Sequence, residues 1–524
     1  MGNINSEVQE TLEDLKESYN TVIYVSKAFP NTNINSLQAR GRLYGLSPAP
    51  LKGARVLELG SSCGGNIIPQ ALYYPETTFT GIDLSGVQIE HGKALIESMG
   101  LTNITLLEKN IMDINDDFGT FDYIIVHGIW SWVPDMVKDK ILSICNRNLS
   151  EEGIAFVSYN TYPGWKRLEQ LREIMLYSET GAPSDTLLDR TVYTKKVLQQ
   201  IQNLIKNSPS TNQKGAYKIK DIDHVLKADD YYIGHEYLES INDPVYVSDF
   251  IQRAHAQGCA YIGDENLQSS FISWLYADIQ EGIRMLAQDD YIAKEQYYDY
   301  VYDTQFRMAL LTKGCNENRI TRNEKVLAST FDSLYFLTSL QDVPNILPDM
   351  NNVLYTAIEE LRNKQLPFTV TDILDYVKTE HPSYTIDTTQ LYTRLLALIV
   401  IGHLNAYGER CEHTPFTENK SYIPEPFIKY VSALIEDGGK QYITLANMYN
   451  QFDSYIDSYI DNGVLYTMRL LQKPTTREAV LKQLDQNMVI TRTNDEGQPY
   501  RISSSQYLED VLSRLQLLGF FRNT

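Results

Sequence analysis

Residues 55–65 read RVLELGSSCGG, a short apolar run that ends close to an acidic residue and passes directly into a glycine-rich turn. The segment IIPQALYYP follows the turn and has the composition of a buried helix. A strand, a tight glycine turn and a helix in immediate succession form the first half of a βαβ unit. This part of the chain is therefore expected to fold as an α/β domain with a parallel sheet.

The same alternation continues for about one hundred residues. Two further helical segments, VQIEHGKALIESMG and DMVKDKILSICNRNL, separate β-rich runs that end in turn residues. This period predicts right-handed βαβ units with helices on both faces of the sheet. The predicted strands after the first are TTFTGIDLS (77–85), ITLLEKN (104–110), FDYIIVHG (121–128) and GIAFVSYN (153–160).

The length of 524 residues is too great for one compact core and predicts two to four domains. The polar segment KNSPSTNQKG (206–215) is interpreted as a linker, and residues 216–312 are expected to be mostly helical. Two later segments each show a helix, a connection and a longer amphipathic helix, as winged helices do. The predicted divisions are an N-terminal lid over 1–50, a cofactor-binding domain over 51–185, a helical middle domain over 186–320, and an α+β, winged-helix-like region over 321–524.

Charge and cysteine usage limit the classes of partner. The net charge of −21 disfavours general binding to nucleic acid or to an anionic membrane, and it suits a basic partner or an ordinary acidic cytosolic protein. The five cysteines are scattered without a CxxC pair, which favours a reduced, cytoplasmic chain and no metal site. The longest apolar stretch, LLALIVIGHL, is too short to span a bilayer, so no stable membrane association is expected.

The glycine turn selects among cofactors. It lacks the GxGxxG spacing of dinucleotide sites, and Glu58 just before it would repel a pyrophosphate but suits an amino group. This favours S-adenosylmethionine, which carries an amine and a sulfonium and no phosphate. Asp83 at the end of the next strand is placed to bind the ribose hydroxyls, Asn110 and Ile111 to read the adenine, and His127 to lie beside the methyl group. A purely structural tight turn is the alternative for the glycines alone.

Residues 54–180 resemble a class I S-adenosylmethionine-dependent methyltransferase, whose motif has an acid followed by glycines at alternate positions. Glu58, Gly60, Ser62 and Gly64 stand at these positions, so a serine replaces the middle glycine. The resemblance implies a Rossmann-like parallel sheet and a cofactor site that also includes Asn66 and Leu84. The strand hairpin that normally closes such a sheet is not found directly after residue 180.

Three further runs are similar to the methyltransferase regulatory-domain family, and the match covers most of 19–312. That family includes the rickettsial protein lysine methyltransferases, which modify an outer-membrane surface protein. The resemblance implies lysine N-methylation of a basic or surface protein with exposed lysines. The runs are YNTYPGW (159–165), HEYLESINDPVYVSDFIQRAHAQGCAYIGD (235–264) and EQYYDYVYDTQFRMALL (295–311).

Candidate catalytic side chains follow the fourth and fifth strands, since ligands of α/β sheets bind at the carboxyl ends of strands. His127 is a candidate general base, with a hydrogen-bonded structural histidine as the alternative. Tyr159 is a candidate contact for the substrate amine, and Trp130 and Trp165 are candidate channel walls that could hold an ammonium by cation–π contact. Core packing is an equal alternative for each aromatic ring.

Two other function classes remain open. A small-molecule or nucleic-acid methyltransferase predicts an NPPY-type tetrad or a basic groove, whereas this chain has SYNTYP and is acidic. A non-catalytic protein that binds S-adenosylmethionine is suggested by Ser62. The sequence leaves open the substrate, the degree of methylation, a homodimeric state and the role of the C-terminal region.

Overall fold

The computed structural model describes most of the chain. No helix among its described residues is both long and apolar enough to cross a membrane, and no group of three or more potential metal ligands occurs among them. Tyr19 and Tyr24 of the predicted lid lie outside the described residues. The description covers Glu13, Lys16, and residues 26–207, 212–338, 352–364, 366–410, 414–436, 462–493 and 498–524.

A seven-stranded sheet forms the centre of the molecule, with strand order β3-β2-β1-β4-β5-β7-β6. The first five strands are parallel, and β7 runs antiparallel to both of its neighbours. The strands predicted from the alternating pattern are confirmed, although β5 begins four residues before the predicted run. The strands are β1 Arg55–Leu59, β2 Thr78–Asp83, β3 Ile104–Glu108, β4 Phe121–Val126, β5 Leu149–Asn160, β6 Cys259–Asp264 and β7 Phe306–Lys313.

Helices cover both faces of the sheet, as the continuous apolar runs of its strands require. Alternate residues of each strand enter different cores: Val56 packs in one and Leu57 in the other. The first core lies under the N-terminal helices and the C-terminal region, and the second lies under helices Asp135–Arg147 and Val247–Ala256. The helices over the first face are Ile34–Leu43, Ile67–Tyr73 and Gly86–Met99.

The closing pair of the sheet comes from the middle of the chain. Strands β6 and β7 lie within the region that the sequence predicts to be mostly helical. A long helical insertion separates them from β5, so no local pattern links them to the sheet. The predicted division at residue 185 therefore falls inside the stretch of chain that builds one sheet, and it stays a prediction. The helices of this region are Trp165–Ser178, Leu187–Asn207, Asn212–Lys227, Asp230–Tyr237, Val247–Ala256, Leu267–Ser270, Ala277–Ala287 and Tyr291–Tyr302.

The segment 206–215 is not the open linker that its composition suggests. Helix Leu187–Asn207 extends to residue 207, and helix Asn212–Lys227 begins at 212. The two helices contact each other, with Gln202 Nε2 donating to Asp223 Oδ1 at 2.6 Å. Residues 208–211 between them lie outside the described part of the chain. The interpretation as a domain linker is therefore wrong for most of this segment.

The C-terminal region mixes helices with short strand pairs and packs on the first face of the sheet. Tyr73 contacts it directly, with ring centroids 5.2 Å from Phe427 and 6.4 Å from Phe520. The predicted α+β character is confirmed. Its helices are Ala328–Asp332, Val353–Asn363, Val370–Glu380, Thr388–Val400, Glu425–Glu436, Asn462–Leu470, Arg477–Asn487 and Ser504–Leu517, and its antiparallel pairs are β8 Tyr335–Thr338 with β9 Leu404–Tyr407, β10 Ser421–Tyr422 with β13 Arg522–Asn523, and β11 Thr491–Thr493 with β12 Pro499–Arg501.

Candidate functional site

The glycine turn after β1 is tightly bent and held to the neighbouring strand. The N–H groups of Gly60 and Ser61 both donate to the carbonyl of Ile82 at 2.9 Å. Gly60 has φ 73°, and Gly64 has φ 81°, a region that L side chains rarely adopt. Ser62 also takes a positive φ, 50°, so the serine that replaces the middle glycine keeps a left-handed backbone. The turn is therefore formed despite the substitution.

Glu58 lies beneath this turn and is only 3% exposed. Its Oε1 accepts a hydrogen bond from Asn66 Nδ2 at 2.6 Å, while Oε2 is buried without a hydrogen-bond partner among the described residues. Burial raises the pKa of Glu58 to about 8; the Asn66 hydrogen bond opposes this shift, and the charge of Asp83 adds to it. A buried carboxylate oxygen without a partner is costly, and an amino group would satisfy it.

Asp83 ends β2 and is fixed from two sides. Its Oδ2 accepts from Ser62 N at 2.8 Å, and its Oδ1 accepts from Ser85 N at 2.9 Å. Burial raises the pKa of Asp83, and backbone hydrogen bonds from Ser85, Ser62 and Leu84 oppose that rise. Each carboxylate oxygen can accept more than one hydrogen bond, so the group retains capacity for two ribose hydroxyls.

Asn110 and Ile111 follow β3 at the same edge of the sheet. The Asn110 side chain accepts a hydrogen bond from Met112 N at 2.9 Å and caps the short helix Ile111–Asp113. At the end of β3, Glu108 pairs with Lys16 Nζ at 2.7 Å. The predicted adenine contacts of Asn110 and Ile111 stay a prediction, now with both residues placed at the carboxyl end of the third strand.

His127 ends β4 and is held in a neutral state. Its Nδ1 lies 3.2 Å from Ser158 Oγ, which itself accepts from Gly128 N at 2.9 Å. The serine proton is therefore available to Nδ1, which leaves the histidine proton on Nε2. Burial, and then the charge of Lys27, lowers the pKa of His127 to about 3. So weak a base is poorly suited to abstract a proton, and the hydrogen-bonded alternative describes His127 better than the general base.

Two phenylalanines that the sequence patterns did not single out surround His127. The ring centroid of Phe29 lies 3.8 Å from that of His127, and that of Phe306 lies 6.1 Å away. Asn66 fixes Phe29 by accepting a hydrogen bond from its N–H at 2.9 Å. Phe306 begins β7 and is 43% exposed, so it lies at the rim of the site. Both contacts join parts of the chain that are distant in sequence, which explains why no local pattern indicated them.

Tyr159 and Trp130 lie together in the core on the opposite face of the sheet from the Ser158–His127 contact. Tyr159 stacks on Phe250 with ring centroids 4.1 Å apart, and Trp130 lies 5.7 Å from Tyr159. Trp130 is fully buried and Tyr159 is 1% exposed. Core packing, the alternative for each ring, accounts for these positions, and the predicted contact of Tyr159 with an amine gains no support from them.

Trp165 is also buried, at the start of helix Trp165–Ser178, where its ring centroid lies 6.1 Å from that of Tyr237. The structure thus brings the residues that follow β1 to β4 to one edge of the sheet, and it places Tyr159 and Trp130 in the core of the opposite face. The predicted cofactor-binding residues all lie within the described part of the chain, and their contacts with the cofactor stay a prediction; they are Glu58, Gly60, Ser62, Gly64, Asn66, Asp83, Leu84, Asn110, Ile111 and His127.

Three family models match separate parts of the chain. A methyltransferase domain matches residues 56–153, a predicted methyltransferase regulatory domain matches 229–313, and a winged helix domain matches 413–508. The first match covers the glycine turn and the strands around it, and the second includes both closing strands. The third lies within the region for which the sequence predicts a winged-helix-like layout.

Two rickettsial relatives and one solved structure are similar to this chain. The uncharacterized protein RP789 of Rickettsia prowazekii is 28% identical over 511 residues, which covers 89% of this chain and 90% of the relative. The uncharacterized protein RP028 of the same organism is 37% identical over 239 residues, which covers 46% of this chain and 94% of the relative. The solved structure of PKMT2 from Rickettsia typhi in complex with AdoHcy is similar over 95% of this chain and 99% of that one, with a TM-score of 0.79 and 24% identity.

The fold, the acid–glycine turn and the matched domains agree on one family. Glu58 and Asp83 also fit the amine and the ribose of its cofactor, since Glu58 is buried with one oxygen unpaired among the described residues and Asp83 is partly buried with acceptor capacity left over. The chain belongs to the class I S-adenosylmethionine-dependent methyltransferases that carry a methyltransferase regulatory domain, and S-adenosylmethionine is its cofactor.

Proposed function

We propose that this methyltransferase acts on lysine side chains of a protein substrate. The observation that carries the proposal is a carboxyl group without a counter-ion beside the carboxyl end of β5. Glu236 is partly buried on helix Asp230–Tyr237, and no hydrogen bond or ion pair involves its side chain among the described residues. Burial alone raises its pKa to about 7. An entering ammonium would compensate this group, because a buried charge is stable only when paired.

Hydrogen bonds connect Glu236 to the sheet edge. Its carbonyl accepts from Asn242 Nδ2 at 3.4 Å, and Asn242 Oδ1 accepts from Asn160 Nδ2 at 3.1 Å. Asn160 is the last residue of β5, and Ser158 two residues earlier contacts His127. This chain of contacts supports a position for Glu236 near the substrate side of the site.

The aromatic rim supports the same class of substrate. Phe306 lies beside His127 and exposes 43% of its surface. The ring of Phe29 also contacts the His127 ring. Aromatic faces attract ammonium groups, and they also exclude water from a reacting centre. The net charge of −21 suits a basic protein and opposes a nucleic-acid substrate. The resemblance to rickettsial protein lysine methyltransferases, and the fold shared with PKMT2, agree with this choice.

When bound, S-adenosylmethionine would supply an electrophilic methyl group on sulfur for a neutral lysine amine. The protein's contribution is alignment and exclusion of water. Glu58 would hold the amine of the cofactor and Asp83 its ribose, and neutral His127 adds no positive charge beside the incoming amine. The lysine loses its proton before attack, since its ordinary pKa is about 10.4.

The test uses poly-L-lysine and S-adenosylmethionine labelled in the methyl group, followed by acid hydrolysis and amino-acid analysis. Mono-, di- or trimethyl-lysine is the expected product. Poly-L-arginine serves as the matched cationic control and should remain unlabelled. Asp83→Ala should lower labelling roughly 10- to 100-fold at limiting cofactor concentration, because losing hydrogen bonds to a charged group costs about 1.5–3 kcal/mol of cofactor affinity. Methyl-arginine, a methyl ester or an unmodified polymer with the wild-type protein would overturn the proposal.

A further inference from the structure

A short N-terminal segment crosses the glycine turn and is bonded to it. Ser26 Oγ accepts a hydrogen bond from Gly65 N at 2.8 Å, and Asn66 Oδ1 accepts from Phe29 N at 2.9 Å. A Cβ on Gly65 would come within 2.6 Å of the Ser26 carbonyl carbon, so the backbones of the two segments are in direct contact. The segment 26–29 is therefore fixed over the start of the helix that follows the turn.

This segment places a lysine at the cofactor site. Lys27 Nζ lies 5.5 Å from the centroid of the Phe29 ring, which contacts His127. The positive charge of Lys27 also acts electrostatically on His127, where it adds to the effect of burial in lowering the pKa of the imidazole. Its ammonium thus lies near the Phe29–His127 pair at the end of β4, on a segment that is hydrogen-bonded to the residues after the glycine turn.

The charges around this point match the amino-acid end of the cofactor. That end of S-adenosylmethionine is a zwitterion with an ammonium and a carboxylate on one carbon. Glu58 offers a buried oxygen without a partner among the described residues, which suits the ammonium. The carboxylate also needs a positive partner, because an ionised group leaves water only when it is paired. Lys27 carries that charge on the segment that touches the same turn.

We propose that Lys27 binds the carboxylate of the cofactor's amino-acid end while Glu58 receives its amine. The product S-adenosylhomocysteine keeps the same carboxylate, so Lys27 stabilises the substrate and product forms of the cofactor equally. Such uniform binding changes affinity and leaves the rate of methyl transfer at saturation unaltered. The inference rests on the cofactor and not on the identity of the methyl acceptor.

The test is calorimetric titration of wild type and Lys27→Met with two ligands. One is S-adenosylhomocysteine, and the other is S-adenosyl-3-thiopropylamine, which keeps the amine and lacks the carboxylate. Lys27→Met should weaken S-adenosylhomocysteine roughly 10- to 100-fold, as expected for loss of a hydrogen bond between charged groups, and should leave the amine ligand unchanged. Lys27→Arg should restore most of the affinity.

Lys93→Met is the matched control, because Lys93 is an exposed lysine on helix Gly86–Met99 whose ion pair among the described residues is with Glu90 of the same helix, at 2.8 Å. It should change neither affinity. Unchanged binding of S-adenosylhomocysteine to Lys27→Met would overturn the inference, and so would an equal loss for both ligands. Mass spectrometry of wild type after incubation with S-adenosylmethionine adds a third check: a methyl group on Lys27 would identify it as an acceptor and overturn its role as a carboxylate partner.

Discussion

The Oγ of Ser158 lies 3.2 Å from Nδ1 of His127, and the next residue along β5, Tyr159, directs its ring into the core on the other face of the sheet. Successive side chains of a strand point to opposite faces, so only one of these two neighbours can serve the site. The consequence is that Ser158, and not Tyr159, lies on the face of β5 that contacts His127.

His127 is expected to stay neutral throughout the working pH range. Burial lowers its pKa to about 3, so its ¹⁵N resonances should show one fixed neutral tautomer from pH 5 to pH 8. Ser158→Ala should remove that preference and cost about 0.5–1.5 kcal/mol of unfolding free energy in urea, the usual worth of a hydrogen bond. Ser98→Ala is the control, because the hydrogen bond of the Ser98 hydroxyl in the described part of the chain is to a carbonyl of its own helix. Titration of His127 near pH 6.5 would contradict this assignment.

Glu58 should release a proton when the cofactor binds. Burial raises its pKa to about 8, so in the free protein at pH 7 it is mostly protonated; an ammonium beside it would favour the ionised form. Calorimetry at pH 7 in buffers of different ionisation enthalpy should therefore report proton release. Glu58→Gln should abolish the release while keeping the shape of the side chain. An unchanged proton count in this variant would show that the proton comes from another group.

The raised pKa of Glu58 also predicts how stability depends on pH. The unfolding free energy should change with pH in the direction opposite to that expected for a salt-bridged acid, whose pKa is lowered. The folded protein holds the Glu58 proton up to about pH 8, while the unfolded chain loses it near pH 4.5. Native protein therefore binds more protons between these values, and its unfolding free energy should fall as pH rises through this window. Glu58→Gln should flatten that part of the profile in urea unfolding measured without cofactor.

The glycine turn can be tested with a pair of glycines that share a backbone conformation. Gly60 has φ 73° and Gly100 has φ 71°, so alanine strains both by about 1–2 kcal/mol. A Cβ at Gly60 would also lie 2.3 Å from Ile129 Cδ1, whereas none of the surrounding atoms lies within 4 Å at Gly100. Gly60→Ala should weaken S-adenosylhomocysteine at least tenfold by calorimetry, and Gly100→Ala should lower stability only. Equal affinities in the two variants would place the cofactor elsewhere.

Tyr159→Phe distinguishes a core residue from a contact with the substrate amine. The Tyr159 hydroxyl is buried without a hydrogen-bond partner among the described residues, and such a group costs about 1–3 kcal/mol. Removing it should raise the unfolding free energy and leave turnover on poly-L-lysine unchanged. Lower turnover with normal stability would restore the predicted contact with the amine.

The sequence predicts the first five strands because each is a continuous apolar run bounded by turn residues, as buried parallel strands are. It does not reveal β6 and β7, since their pairing depends on contacts across a long helical insertion. The residues of the candidate site divide in the same way, into those that a local pattern predicts and those that depend on contacts between distant parts of the chain. Glu58 and Asp83 end consecutive strands and could be placed from the pattern, whereas Phe29 and Phe306 approach His127 from distant parts of the chain.

The position of Tyr159 has a more local reason. A residue near the end of a strand can enter either face of the sheet, and the two-residue period of β5 decides which face its side chain enters. Asn160 and Ser158 share one face, and Tyr159 takes the other, where Phe250 covers it. The alternation is visible in the sequence, but the face that carries the site is known only once the helices are placed.

Glu236→Gln tests the substrate side of the site without touching the cofactor. The amide keeps the size of the side chain and removes the charge that an ammonium would pair with, so KM for poly-L-lysine should rise roughly tenfold, the effect of losing about 1.4 kcal/mol of binding. Affinity for S-adenosylhomocysteine should stay unchanged, because Glu236 lies on the regulatory-domain side of β5. Glu97→Gln, the same substitution at an exposed position of helix Gly86–Met99, is the control for the loss of one surface charge. Equal KM values in these two variants would remove Glu236 from substrate recognition, and a parallel loss of cofactor affinity would assign its effect to the fold.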